Sequence, residues 1–430
     1  MLTDNSFTNA KTALLIGAYS SGHDKEACED FLKELERLCE SYGLTAVEKV
    51  PCAIKKIDAG TFIGSGKLDE ILLTAQEKGA DIIIFDEEIS PNQQRNLEKF
   101  FQRPVIDRTE LIIEVFAQRA QTREARLQVE LAKVKYQLPR LKRLWTHLSR
   151  QAGSGGGGAG GGGYTRGAGE LQIELDRRML RKRMVQLQKE IDDVKSQRET
   201  QRLKRTRTGI PSFAIVGYTN AGKSTLLNAL TEAKVLVEDK LFATLDTTTR
   251  KYVLPNRQEV VLVDTVGFIR KIPHTLVAAF KSTLEEAVHT DILLHLIDCS
   301  HPAAQLQAEA TMLVLKELNA LDRPIITVLN KIDACFNPSL LHKLRITYPK
   351  TVQISALTHE GFDLLLEKMT QEIQALRKRV RLRIPQSQYA LVSELMREGR
   401  VISCDYEDND IFIDVEIPAR LEHKIKEYER

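Results

Sequence analysis

The sequence predicts an α/β protein of several units, one of them wound around a phosphate-binding loop. Three observations carry that prediction. Between Phe213 and Leu230 a short apolar run feeds a Gly-x-x-x-x-Gly-Lys-Ser loop and then a helix-forming stretch. Residues 12–107 alternate apolar runs with amphipathic segments, the pattern of a small open parallel sheet. A long basic helical stretch broken by a glycine tract joins the two. At 430 residues and about 150 residues per domain, roughly three units are expected. The boundaries read as an N-terminal α/β domain over 1–130, a helical hairpin over 131–208, the phosphate-loop domain over 209–377 and a small α+β unit over 378–430.

In the first unit, Ala13–Gly17, Thr45–Val47, Asp81–Phe85 and Val105–Ile106 read as strands. Helical periodicity covers Ala27–Tyr42, Lys67–Lys78 and Pro91–Phe101, the last opened by Ser90 with proline at the first helical position. Gly64-Ser-Gly-Lys67 lacks the first half of a phosphate-loop motif, so it reads as a structural turn or as a second nucleotide site.

From Arg108 to Arg150 the pattern is continuously helical, with a kink expected at Pro139. Gly153–Gly163 follows, nine glycines in eleven residues, and helix resumes from about Glu170 to near Thr206. Two helices around a glycine loop predict an antiparallel hairpin with a glycine-rich tip. Residues 131–210 hold 19 Lys/Arg against 7 Asp/Glu, while the whole chain is only +3. A charged helix face is usually a solvated one, but an excess of one sign points to a polyanion. Arg166, Arg177, Arg178, Arg181, Lys182 and Arg183 are the candidate RNA contacts. Trp145, His147 and Tyr164 near the tip suit stacking on exposed bases, and packing within the hairpin equally.

The phosphate-loop unit carries four motifs in order on strand ends. In Gly217-Tyr-Thr-Asn-Ala-Gly-Lys-Ser224 the glycines allow backbone N–H groups to turn inward around phosphates. The backbone of Tyr218, Thr219, Asn220 and Ala221 lines that cradle, Lys223 reaches the β- and γ-phosphates, and Ser224 holds Mg²⁺. Glu259–Asp264 ends a strand in Asp264-Thr265-Val266-Gly267, where Asp264 holds Mg²⁺ through water and the Gly267 N–H senses the γ-phosphate. Ile325–Asn330 leads into Asn330-Lys331-Ile332-Asp333. The Asp333 carboxylate, an acceptor only, pairs with the donors on the guanine edge and rejects adenine. Lys331 lies along the base and Asn330 ties this loop to the phosphate loop. Ser355-Ala356-Leu357 ends the last strand, its backbone donating to the guanine carbonyl. Together these define a P-loop GTPase domain.

The last unit reads as strand Val380–Pro385, helix Gln388–Glu398 and a hairpin of Val401–Tyr406 with Ile411–Ile417 around an acidic turn. No apolar run approaches a membrane span, Met1–Ala13 lacks the pattern of a secretory signal, and the six cysteines show no Cys-x-x-Cys spacing. A reduced, cytoplasmic setting and a monomer are expected.

Several stretches resemble the HflX family of ribosome-associated GTPases, in the wider group that includes Obg. They are Thr61–Lys67, Asp86–Leu97, Asp107–Leu111, Leu127–Leu131, Tyr136–Leu141 and Thr165–Glu170, with Gly217–Ser224, Phe242–Asp246 and Asp264–Phe268 in the GTPase domain. The sequence departs from the family pattern at Ala168, where proline is usual, and at Leu171, where threonine is usual. The resemblance implies binding to the large ribosomal subunit and its RNA, ribosome-stimulated GTP hydrolysis and, in some members, splitting of stalled ribosomes. It also implies ATP use by the N-terminal region of some members, for which no Walker motif is present here. Of Thr244, Thr247, Thr248 and Thr249, the Phe242-Ala243-Thr244-Leu245-Asp246 wording selects Thr244 as second Mg²⁺ ligand. Phe268 stands where many GTPases place a glutamine, so hydrolysis by the isolated chain is expected to be slow, with Lys223, Asn220 and Gly267 as its catalytic groups. Asn220 suits a K⁺ ion beside the phosphates, as in some related GTPases. A GTP-controlled adaptor recruiting a protein or membrane surface is the alternative function.

Overall fold

The computed structural model describes residues 10–22, 24–141, 164–208, 210–231, 242, 248–270, 289–407, 409–418 and 421–429. The chain divides into two compact units. The first contains Met1–Ser196 with Leu236–Thr247 and Val266–Leu284; the second contains Gln197–Val235, Thr248–Thr265 and Glu285–Arg430.

The first unit alternates β1 (Thr12–Tyr19), α1 (Asp24–Tyr42), β2 (Thr45–Ala53), α2 (Ser65–Glu77), β3 (Ile82–Phe85), α3 (Pro91–Phe101) and β4 (Val105–Asp107). The strands form one parallel sheet in the order β2-β1-β3-β4. Leu14, Ile16, Ile83 and Phe85 pack there with Leu68, Ile71, Leu97 and Phe101 from the helices. α3 starts where the sequence places it: Pro91 opens it, and Ser90 and Gln93 exchange side-chain and backbone hydrogen bonds. Gly64 is extended and immediately precedes α2, and the preceding turn is held by Asp58, which accepts from Gly60 N, Thr61 N and Thr61 Oγ1. Lys67 in this stretch donates to Glu70 at 2.6 Å. The stretch is therefore the start of α2, with Gly64 at its cap and Ser65–Lys67 in its first turn, rather than a free-standing turn.

The continuous helix expected from Arg108 is broken. α4 (Arg108–Arg119) ends at an extended Ala120, and α5 (Arg123–Gln137) begins afresh because Thr122 Oγ1 accepts from Ala125 N. Pro139 lies in a 3₁₀ turn, Leu138–Arg140, between α5 and a helical Leu141, so helical geometry is interrupted at the expected position. α6 (Tyr164–Thr208) starts earlier than expected. Leu180, Leu187 and Ile191 of α6 pack on Leu127, Leu131 and Val134 of α5. Trp145, His147 and the glycine tract lie outside the described residues.

The second unit holds β5 (Ser212–Gly217), α7 (Lys223–Thr231), β6 (Thr248–Val253), β7 (Glu259–Asp264), β8 (Ile292–Asp298), α8 (Ala304–Glu317), β9 (Ile325–Asn330), α9 (Pro338–Thr347), β10 (Thr351–Gln353) and α10 (Phe362–Ala375). The sheet order is β10-β9-β8-β5-β7-β6, parallel throughout except for β6. Central strands are buried on both faces, so β8 reads as an apolar run broken by His295 and closed by Asp298. β11 (Arg377–Pro385), α11 (Tyr389–Glu398), β12 (Arg400–Glu407), β13 (Asp410–Pro418) and α12 (Glu422–Ile425) complete the chain. They form an antiparallel sheet, β11-β13-β12, whose alternating residues Val380, Leu382, Ile384, Ile411 and Ile413 pack on Val392 and Leu395. Among the described residues no helix is long and apolar enough to cross a membrane.

Candidate functional site

The parallel sheet brings the C-terminal ends of β5, β7, β8 and β9 to one edge, where Ile215 registers with Asp264, Gly217 with Leu296 and Asp298 with Asn330. In such sheets ligands bind at that edge. The phosphate loop leaves β5 at Gly217, where an added Cβ would stand 2.5 Å from the Leu296 carbonyl oxygen. Asn220 and Gly222 have positive φ (61° and 93°), and a Cβ on Gly222 would overlap the Asn330 amide. Glycine at 217 and 222 is therefore demanded by two close approaches as well as by backbone freedom. α7 begins at Lys223, immediately after this turn, so its first N–H groups face the loop.

Lys223 is buried, and its ammonium donates to the Tyr218 carbonyl oxygen at 2.8 Å. Burial pushes it down to about 8, opposed by the Asp264 carboxylate. Ser224 Oγ donates to Asp264 Oδ2 at 2.7 Å, and Asp264 is fully buried. Thr265, also fully buried, donates its hydroxyl to the Ile215 carbonyl oxygen and fixes the end of β7 beside β5.

Asn330 joins three of the sequence motifs. Its Nδ2 donates to the Ala221 carbonyl oxygen at 2.8 Å, and its Oδ1 accepts from Ala356 N at 3.0 Å. Lys331 follows with φ 62° and pairs with Asp298 Oδ2 at 2.7 Å. Asp333 is exposed in the short 3₁₀ turn Ile332–Ala334, and Ile332 N donates to the Ile354 carbonyl oxygen. Ser355 and Ala356 are buried, and Leu357 is exposed. The structure thus gathers Gly217–Ser224, Asp264, Asn330–Asp333 and Ser355–Ala356 at one sheet edge. Phe242, Val266, Gly267 and Phe268 are buried, while Ala243, Thr244, Leu245 and Asp246 lie outside the described residues. Asp298 escapes sequence reasoning, although an acid closing the apolar run Ile292–Ile297 is the same signal that marks Asp264.

On α6, Arg178, Arg181 and Lys182 are exposed and Arg177 is half-buried. Arg183 faces α5, making two 2.8 Å bonds to Glu130. Arg166 falls within α6.

Fold and site together define a P-loop GTPase with guanine-type motifs on its strand ends. Comparison with known proteins gives the family. Residues 29–117 match the family described as GTP-binding GTPase N-terminal, residues 119–205 the GTP-binding GTPase middle region and residues 212–331 the 50S ribosome-binding GTPase family. GTPase HflX of Chlamydia pneumoniae is 48% identical over 417 residues, 97% of this chain and 88% of that protein. GTPase HflX of Escherichia coli (strain K12) is 41% identical over 410 residues, 94% of this chain and 93% of that protein. The chain belongs to the HflX GTPase family and is a GTP hydrolase.

Proposed function

We propose that this GTPase binds the large ribosomal subunit through the basic face of its helical hairpin and couples GTP binding and hydrolysis to ribosome association or to splitting of stalled ribosomes. It acts as a cytoplasmic monomer. The observation that carries the nucleotide half of this reading is Asn330, whose amide bonds Ala221 on the phosphate loop and Ala356 on the base loop. A single side chain therefore sets the spacing between the phosphate end and the guanine end of the ligand. Asp333 selects guanine, Lys331 flanks the base while held by Asp298, and the Ser355–Ala356 backbone faces the guanine carbonyl. Lys223 exchanges its bond to the Tyr218 carbonyl for the β- and γ-phosphates, whose negative charge favours the ammonium form that burial disfavours.

The donor set fits Mg²⁺: the Asp264 carboxylate takes the Ser224 hydroxyl proton in a hydrogen bond and leaves the hydroxyl lone pairs directed away from it. Ser224 and Thr244 would hold the ion, with Asp264 acting through water. When bound, the ion neutralises charge on the β- and γ-phosphate oxygens. Gly267 N–H follows the γ-phosphate. Phe268, buried and without a hydrogen-bonding group, cannot orient water, so hydrolysis is slow until a partner acts. Asn220 offers an amide oxygen for K⁺, which stabilises developing charge on the phosphates.

The ribosome half rests on the charge of residues 131–210 and on the exposure of Arg178, Arg181 and Lys182. Co-sedimentation with purified large subunits tests it. Association in a GTP analogue that weakens in GDP and in high salt is expected. A chain that stays in the supernatant with both nucleotides at low salt overturns the reading.

A further inference from the structure

Arg270, three residues beyond Gly267, is anchored on the N-terminal sheet. Its guanidinium donates to Asp86 Oδ2 at 2.9 Å and lies over the Phe31 ring, 3.0 Å from the centroid. Asp86 follows β3 directly and is 2% exposed; its other oxygen accepts from Arg108 Nη1 at 2.7 Å. Arg108 is as deeply buried, so one of the two arginines on Asp86 belongs to the sheet domain itself. The other comes from the segment that in sequence completes Asp264-x-x-Gly267. A second anchor lies on the other segment of this kind. Phe242, just before Thr244, has φ 57° and packs at a tilt against Phe116 of α4 with centroids 4.4 Å apart. Both segments cluster with the N-terminal unit.

We infer that Asp86 is a positioning residue for GTP hydrolysis: it holds Arg270 and thereby biases the Gly267 segment against following the γ-phosphate. The inference rests on the reading of Gly267 as the γ-phosphate sensor. Gly267, Phe268 and Ile269 are all buried, so a shift of the Gly267 N–H is passed along packed chain to an arginine tied to a buried carboxylate. A buried ion pair backed by an aromatic face resists separation. The γ-phosphate contact competes with that pair, and GDP, lacking the γ-phosphate, does not. Asp86 thus sets the ratio of GTP affinity to GDP affinity and the intrinsic rate, without touching the nucleotide.

Arg270→Ala separates the two states cleanly, because Asp86 keeps Arg108 and the sheet domain keeps its buried pair. The affinity ratio, GTP analogue over GDP, should rise about fivefold or more, the lower end of ordinary coupling between sites. Single-turnover hydrolysis should accelerate with it. Arg270→Lys, which keeps the charge on Asp86, should return the ratio towards the parent value, and Phe31→Leu should move it in the direction of Arg270→Ala by less. Gly267→Pro, which removes the N–H, serves as the reference and should abolish the nucleotide preference. An unchanged or lowered ratio in Arg270→Ala, with Gly267→Pro still abolishing preference, overturns the role of Asp86. No effect of Gly267→Pro overturns the sensor reading and the inference with it.

Discussion

At the scale of single residues, Asn330 uses both ends of its amide inside the protein, on Ala221 and on Ala356. Asn330→Ala removes both bonds and leaves a buried carbonyl and N–H without that partner. At about 1–3 kcal/mol for such a loss, affinity should fall roughly 5- to 150-fold for GDP and GTP analogue alike, with their ratio preserved. Titration with labelled nucleotides reads this directly; a loss confined to GTP would reassign Asn330 to the switch. His295 makes a different prediction. It is fully buried in β8, neither ring nitrogen has a hydrogen-bond partner among the described residues, and burial pushes it down to about 4. Below about pH 6.5 the unfolded chain takes up a proton that the folded chain refuses, so stability is complete above that pH and falls towards pH 4. By pH 5 the cost is about 2 kcal/mol. His295→Leu should flatten the drop in melting temperature between pH 7.5 and pH 5, and an equally steep drop would remove His295 as its cause. The phosphate loop and the Asn330 tie are legible in the sequence because each motif fixes residue type and spacing together. His295 is not, since a lone polar residue in an apolar run gives no sign of what the neighbouring strand sets opposite it. Here β9 supplies Thr327, whose buried hydroxyl also has no partner among the described residues.

Among the elements, the hairpin shows what charge counting reaches and where it stops. The excess of arginine and lysine is visible in composition, but which cation faces α5 depends on how α5 and α6 mesh. Leu127, Leu131 and Val134 set that mesh, and it turns Arg183 to Glu130 while Arg181 and Lys182 are exposed. The break at Ala120–Thr122 is hidden for a related reason. Thr122 three residues before Ala125 is a cap only once the chain has turned, and helical periodicity continues across it. The consequence is measurable. Arg183→Ala should cost less than about 1 kcal/mol, as a half-exposed pair does, and leave the salt dependence of ribosome binding unchanged. Arg181→Glu with Lys182→Glu should lower the slope of log affinity against log salt by about one for each phosphate no longer neutralised. Equal slopes in the double variant and the parent would take recognition away from this face of α6.

For the whole molecule, the alternation of strands and helices makes both parallel sheets legible, because each strand's apolar run is bounded by residues that start or stop helices. What stays hidden is the grouping of chain segments. Leu236–Thr247 and Val266–Leu284 lie in sequence within the GTPase domain and cluster with the N-terminal unit. Pairs such as Arg270 with Asp86, 184 positions apart, leave no periodic trace in sequence. The nucleotide motifs and the excess positive charge still map to separate stretches. The four nucleotide motifs lie between Gly217 and Ala356, and the excess positive charge lies in residues 131–210. Shortening Gly153–Gly163 removes no charged residue and no motif residue. GDP and GTP-analogue affinities should therefore match the parent, as should hydrolysis by the isolated chain. If the tract brings the basic helices within reach of ribosomal RNA, its loss should lower ribosome-stimulated hydrolysis while the cations of α6 keep their salt-dependent attraction. Hydrolysis measured with and without large subunits, over a range of salt, separates the two. Full stimulation with the tract shortened would make it a linker and leave recognition to the helices and the N-terminal sheet.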